Sequence, residues 1–406
     1  MKEKLFAAIN ALEPKMLETL SSLIAIPAVS PADGGLGEQD KAQYIEAKVE
    51  SLGFGKPEIY TSPDPAAKGG GRPNLIVKIP GRTSRRLWIL SHMDVVPEGD
   101  LSLWTTDPFE AVVKDGKIYG RGSNDNCQEL VSSLYAAVAL KQLGITPLYE
   151  VCLCFVADEE MGSKHGIQYL IKQGLFREDD LVMVPDMGNG SGDFIEVAEK
   201  SIAWIEFELL GEQVHASRPD QGINACRAAN EFCFNLDNAL HNAFPESDEL
   251  FTPAVSTFEP TRRNKNVANV NTVPGREVFC FDCRVLPHVP LGEVEKVVSA
   301  EAKKIEEKHG VKVNVKMLQR EQAPEPTPID APIVRLTEKA MAEVLPLKAR
   351  IGGVGGGTCA AYFRREGIPA AVWGQAADTA HMPNEYAVIE HMVNEAKVFA
   401  LMMVTE

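Results

Sequence analysis

Three consecutive carboxylates, Asp158, Glu159 and Glu160, stand directly after the apolar run LYEVCLCFVA. Desolvating adjacent anions at the end of a buried strand is costly unless protons or cations compensate them. Two more apolar runs end on groups of the same kind: RLWIL feeds into Ser91-His92-Met93-Asp94, and LVMVP into Asp186. Asp125 stands in the glycine-flanked loop GRGSNDN, and His381 in ADTAHMPNEY beside Asp378 and Glu385. Taken singly, each has a plain reading: a solvated turn, a helix N-cap, an exposed loop histidine. Together His92, Asp125, Glu160, Asp186 and His381 make a set of two imidazoles and three carboxylates. Nitrogen and oxygen donors without thiolate suit zinc, with cobalt or manganese as alternatives. Two such ions about 3.5–4 Å apart, sharing a carboxylate and a water, form a hydrolytic arrangement. Their charge would also neutralise the acidic cluster. Asp94, two residues from His92 on the same side of an extended chain, is placed to orient the second ring nitrogen.

The elements that must position these groups alternate. Helices are expected over residues 3–20, 38–52, 128–142 and 163–173, and strands over 74–79, 86–90, 148–157 and 181–185. This pattern predicts an α/β fold with a mostly parallel sheet flanked by helices. In such sheets ligands bind beyond the carboxyl ends of strands, where His92, Asp158–Glu160 and Asp186 fall. Near Lys200 the texture changes. SIAWIEFELLG alternates like a half-exposed strand, and VHASRPDQGINA opens a helix to about Leu240. VPGREVFCFDCRVLP and VKVNVKML read as further strands around a helix from about Leu291 to Lys308. The reading is a catalytic domain in two parts, 1–199 and 319–406, interrupted by an inserted α+β domain, 200–318. The proline-rich EQAPEPTPIDAP marks the return. A helix (332–344), the loop GGVGGG, a helix from Thr358, the strand IPAAVWG and a last helix complete the first domain.

The 406 residues carry a formal net charge of −16, which argues against nucleic-acid or anionic-membrane partners. No stretch reaches the roughly 20 apolar residues that span a bilayer, and the charged N-terminus lacks a signal-peptide core. A cytoplasmic location is expected. The eight cysteines make no disulfide framework at this size. Cys152 and Cys154 should share one face of a strand, and Cys280 and Cys283 read as reduced thiols in packing positions.

The ordered motifs HMD, GRGSNDN, DEEMGS, PD, HASRP, NTVPG, DCR and AHMPNE resemble the co-catalytic zinc amidohydrolase and peptidase family. That family includes acetylornithine deacetylase, succinyl-diaminopimelate desuccinylase, aminoacylase and glutamate carboxypeptidase, and the resemblance runs from about Leu20 to Glu390. It implies that His92 and Asp186 hold one metal, Glu160 and His381 the other, and that Asp125 bridges, with a cis peptide after it. By the same resemblance Glu159 is the general base, Asp94 orients His92, and the inserted domain is a lid that also makes a homodimer. His215 then reaches into the partner subunit's site as an oxyanion donor, and Asn271 and Arg284 contact substrate.

The implied activity is hydrolysis of the amide bond in a small N-acyl amino acid or a dipeptide with a free carboxylate. Deacylation (including desuccinylation) competes with dipeptidase or carboxypeptidase action. A non-catalytic metal- or peptide-binding homologue is the rival, opposed by the retention of Glu159 beside a ligand. Arg284 offers a planar fork for a carboxylate, or a surface ion pair with Asp282. The glycines around Gly356 and Gly357 either present backbone N–H groups to a substrate carboxylate or permit a tight turn. Two departures from the family pattern stand out. Thr358 is followed by Cys359 where many members carry Asp, and Asp125 by Asn126-Cys127-Gln128 where Lys-Gly is frequent. Both weaken the transfer of any one substrate.

Overall fold

The strand Arg86–His92 is buried along its whole length, as a strand covered on both faces must be. The computed structural model describes residues 1–406. Arg86–His92 pairs in parallel with Glu150–Val156 on one side and Leu181–Val184 on the other, and Ala370–Val372 continues the parallel core. The full sheet has eight strands, in the order Glu58–Pro63, Gly71–Ile79, Glu150–Val156, Arg86–His92, Leu181–Val184, Ala370–Val372, Phe194–Glu199 and Arg350–Val354. Its flanks are antiparallel: Glu58–Pro63 to Gly71–Ile79, Gly71–Ile79 to Glu150–Val156, and Ala370–Val372 to Phe194–Glu199. The sheet is therefore mixed, with parallel pairing confined to its centre. The flanking strands Glu58–Pro63 and Phe194–Glu199 lack the continuous apolar run that marks the central ones.

One face carries the helix Cys127–Gln142, buried from Cys127 to Leu140 and packed against the helices Lys2–Ile24 and Ile389–Val404. The other face is an apolar layer of Trp88, Leu90, Cys152, Cys154, Val182 and Val184 under Ile167, Leu170 and Phe363. Cys152 and Cys154 do lie on one face, and all eight cysteines are free thiols. The helix expected from Ser163 begins only at Ile167 and ends at Lys172. Ser163 has φ +58°, outside the right-handed helical region. No helix is long and apolar enough to cross a membrane.

Two compact units emerge: residues 1–197, 327–352 and 358–406 in one, residues 198–326 and 353–357 in the other. The second unit extends past 318 because its edge strand Lys312–Glu321 carries the chain further. Gly353–Gly357 belongs with it through Gly353 N–H to Leu250 O (2.6 Å) and Lys200 N–H to Val354 O (2.9 Å). Taken by itself, this unit is an antiparallel sheet, Thr257–Arg263, Arg276–Val285, Ser201–Leu210, Lys312–Glu321, with the helices Ala225–Ala243 and Leu291–His309. Ala203, Ile205, Phe207 and Leu209 alternate into its core while Trp204 stays exposed, which is the expected half-buried pattern.

Candidate active site

Parallel register brings the strand ends together. His92 is level with Val156, two residues before Asp158, and Ile89 with Met183, three before Asp186. His92 Nε2 thus lies 2.9 Å from Asp125 Oδ1 and 3.3 Å from Asp186 Oδ1. His381 Nε2 lies 3.2 Å from Asp125 Oδ2 and 3.0 Å from Glu160 Oε2. Asp125 therefore offers one oxygen to each imidazole, and the peptide that follows it is cis. One ligand atom from each of His92, Asp125 and Glu160 lies within 4.8 Å of the others, and the same holds for His92, Glu159 and Asp186. All five expected ligands meet here, with Glu159 beside them.

The acidic triplet is resolved in two ways. Asp158 turns away from the cluster and meets the buried guanidinium of Arg72 at 3.2 Å, which also pairs with Glu38. With φ +64° at Asp158, the next two peptides aim their N–H groups at Asp94. Glu159 N–H reaches its Oδ1 and Glu160 N–H its Oδ2, each at 3.1 Å. Asp94 consequently orients the loop that carries Glu159 and Glu160. Its expected role toward His92 falls mainly to its backbone: His92 Nδ1 is 2.9 Å from Asp94 O but 3.5 Å from the carboxylate. The carboxylate oxygens are already committed to the two amides.

Several positioning residues escaped the sequence reading. Glu385 is fully buried and accepts from Arg121 Nη1 (2.7 Å) and from the N–H groups of Gly122, Asn124 and Asp125 (3.0, 2.9 and 3.0 Å). It ties the Asp125 loop to the segment that carries His381. Asn126 Oδ1 accepts from His92 N–H, and its Nδ2 donates to Pro185 O and to Asp186 Oδ1. The proximity of Glu385 to His381 in sequence was a usable signal. Asn126 stood out only as a departure from the family pattern, and nothing marked Arg121.

The donor chemistry fits divalent metal. His92 Nδ1 must donate to the Asp94 carbonyl, so a neutral ring turns a bare Nε2 lone pair toward two carboxylate oxygens. Only a proton or a metal cation makes that favourable. Without metal the site therefore holds protons. Burial works against charging His92, but hydrogen bonds to Asp125 and Asp186 raise its pKa well above the usual value. Hydrogen bonds to Asp125 and Glu160 push His381 up to about 10. Burial pushes Glu160 up to about 7, and burial with the Asp186 charge takes Glu159 well above the carboxylate range. Burial also resists ionisation of Asp125, yet the two histidines hold it well below that range. His92, Asp125, Glu160, Asp186 and His381 can hold the metal.

His215, Asn271, Arg284, Gly356 and Gly357 lie in the second unit. His215 is exposed, with Nδ1 2.8 Å from Ser217 Oγ and Nε2 3.5 Å from Asn271 Nδ2. Arg284 is paired with Asp282 at 2.7 Å and donates to Gly355 O at 2.7 Å. The surface-pair geometry weighed for this arginine is thus the one present, and the glycine loop offers it a carbonyl.

Residues 88–405 match the peptidase family M20/M25/M40. The chain belongs to this family. An uncharacterised metallohydrolase of Methanocaldococcus jannaschii is 42% identical over 398 residues, covering 93% of this chain and 96% of that protein. A succinyl-diaminopimelate desuccinylase of Nitratiruptor is 24% identical over 375 residues, covering 91% and 94%. A tripeptidase structure from Staphylococcus aureus shares the fold with a TM-score of 0.76 at 19% identity, covering 96% and 97%. Membership of the M20/M25/M40 family makes the protein a metal-dependent hydrolase, and the cluster around Asp125 is its candidate centre.

Proposed function

We propose that this protein hydrolyses the amide bond of a small N-acyl amino acid or a dipeptide bearing a free carboxylate. Two divalent ions, zinc by donor type, would be held by His92 and Asp186, by Glu160 and His381, and by Asp125 between them. When bound they supply a water of lowered pKa and polarise the carbonyl. The observation that carries the reading is Glu159, a half-buried carboxylate within reach of His92 and Asp186 and not required among the five ligands. Glu159 takes the proton of the attacking water and delivers it to the leaving nitrogen, a base turned acid. Asp94 fixes the Glu159 and Glu160 amides. His215 donates to the developing oxyanion from the partner subunit of a homodimer. Asn271 and Arg284 contact the substrate, and Arg284 must exchange its Asp282 partner for the substrate carboxylate.

The test combines one variant with one panel. Wild type loaded with Zn²⁺, Co²⁺ or Mn²⁺ is assayed on N-acetyl and N-succinyl amino acids and on dipeptides, which separates deacylation from peptidase action. Glu159→Gln should keep its metal and lose turnover by about 10²–10⁴. Near-normal turnover in that variant removes Glu159 as the base. Failure of the whole panel removes the substrate class.

A further inference from the structure

Resting on the reading of Glu159 as base, we propose that Cys359 is a positioning residue that holds the Glu159 carboxylate by a thiol hydrogen bond. Cys359 Sγ lies 3.8 Å from Glu159 Oε1, within reach for a sulfur donor, and the residue is 3% exposed. Ser163 Oγ stands 3.4 Å behind the same sulfur. Ser163 is itself fixed, buried at φ +58° with its N–H on Asp158 O at 2.6 Å. With the single thiol proton directed at Glu159, the Ser163 hydroxyl is the partner left to donate to Sγ. The chain of contacts closes on the turn Asp158–Ser163 that carries Glu159. The sulfur is held from below as well, since Cys359 belongs to the apolar layer with Phe363 and Trp88.

The chemistry of the donor matters. A thiol is a weak donor, so it sets the direction of the carboxylate while leaving it free to accept a proton. An aspartate here would set a second anion against Glu159, and a hydroxyl would donate more strongly. The departure from the family pattern at Cys359 therefore falls on the neighbour of the proposed base.

The experiment uses the metal-loaded enzyme and the best substrate of the panel. Cys359→Ala should lower kcat about 10- to 100-fold, the range for a misplaced catalytic group, with KM and metal content unchanged. Cys359→Ser keeps a donor and should recover most of kcat. In the Glu159→Gln background Cys359→Ala should cost nothing further, because the two act through one group. A readout independent of turnover is the S–H stretching band of metal-free protein, assigned by subtraction of Cys359→Ser. It should move to higher frequency in Glu159→Ala. An unchanged kcat in Cys359→Ala, an equal loss in the Glu159→Gln background, or a band indifferent to Glu159 overturns the proposal. If Cys359→Ala fails to fold, Cys359→Ser and the band decide. Near-normal turnover in Glu159→Gln alone would instead sink the base reading, and the band would still report the contact.

Discussion

Replacing Glu385 by glutamine changes one atom and tests how the Asp125 loop is held. The carboxylate is fully buried, and each of its four hydrogen-bond partners is a donor. Oε2 takes Arg121 Nη1 at 2.7 Å and Gly122 N–H at 3.0 Å; Oε1 takes Asn124 N–H at 2.9 Å and Asp125 N–H at 3.0 Å. Glutamine has one acceptor oxygen. If it faces Asn124 and Asp125, its amide hydrogens meet Arg121, and a guanidinium only 2% exposed loses its counter-charge. Breaking a buried pair this way costs about 3–5 kcal/mol. If it faces Arg121 and Gly122, two buried N–H groups meet an NH₂, at about 1–3 kcal/mol each. The first rotamer predicts a loss of about 3–5 kcal/mol and the second about 2–6 kcal/mol, each a large share of a typical stability of about 5–15 kcal/mol.

The loss should concentrate on the metal centre. Gly120 N–H also bonds Glu385 O at 3.0 Å, so side chain and backbone of one residue join the loop of Asp125 to the segment of His381. Metal affinity, measured by chelator competition under native conditions, should fall about 10- to 100-fold. Denaturant unfolding of the metal-free protein gives the stability change. Adding Arg121→Met should return part of the stability, because the unpaired cation is removed with its partner. A destabilisation below about 1 kcal/mol with metal affinity intact would refute the account. So would an Arg121→Met effect that simply adds to that of Glu385→Gln.

Two other predictions concern charge and assembly. In metal-free protein Glu160 sits at about 7, raised mainly by burial, and His381 at about 10, raised by Asp125 and Glu160. Both are raised above their unfolded values, so the folded state binds the extra protons. Their contribution to stability is then greatest below about pH 4.5 for Glu160 and 6.5 for His381, and is lost as pH rises through about 7 and about 10. Metal-free protein should lose stability from these groups between about pH 5 and 10, and metal uptake at pH 8 should release protons into a weak buffer. Uptake without proton release would count against it. For the crossing of His215, a mixed dimer of His215→Ala and Glu159→Gln subunits should contain one intact and one doubly damaged site. Turnover near half of wild type is expected, and two equally dead sites would show that each subunit uses its own histidine.

How much of this was readable in the chain follows from the kind of interaction involved. The runs before His92, Asp158 and Asp186 are uninterrupted because their strands are covered on both faces, so burial wrote the central sheet into the sequence. Parallel pairing then required their ends to share an edge, which gathers His92, Glu160 and Asp186 without any knowledge of side-chain contacts, while Asp125 and His381 come from loops. Flanking strands such as Glu58–Pro63 carry mixed burial and left no comparable signature. The polar supports were hidden for another reason. Arg72, Glu385 and Asn126 act on backbone groups or on charged groups distant in sequence, and such pairings have no period in the chain. The triplet shows the consequence most directly. Metal neutralisation was inferred for the acidic cluster, yet Asp158 is compensated by Arg72, a residue that lies just before the strand expected over 74–79 and carried no signal of its own. An acidic cluster at a strand end thus announces that compensation exists, while which cation compensates which carboxylate is decided by neighbours that pairing alone brings near.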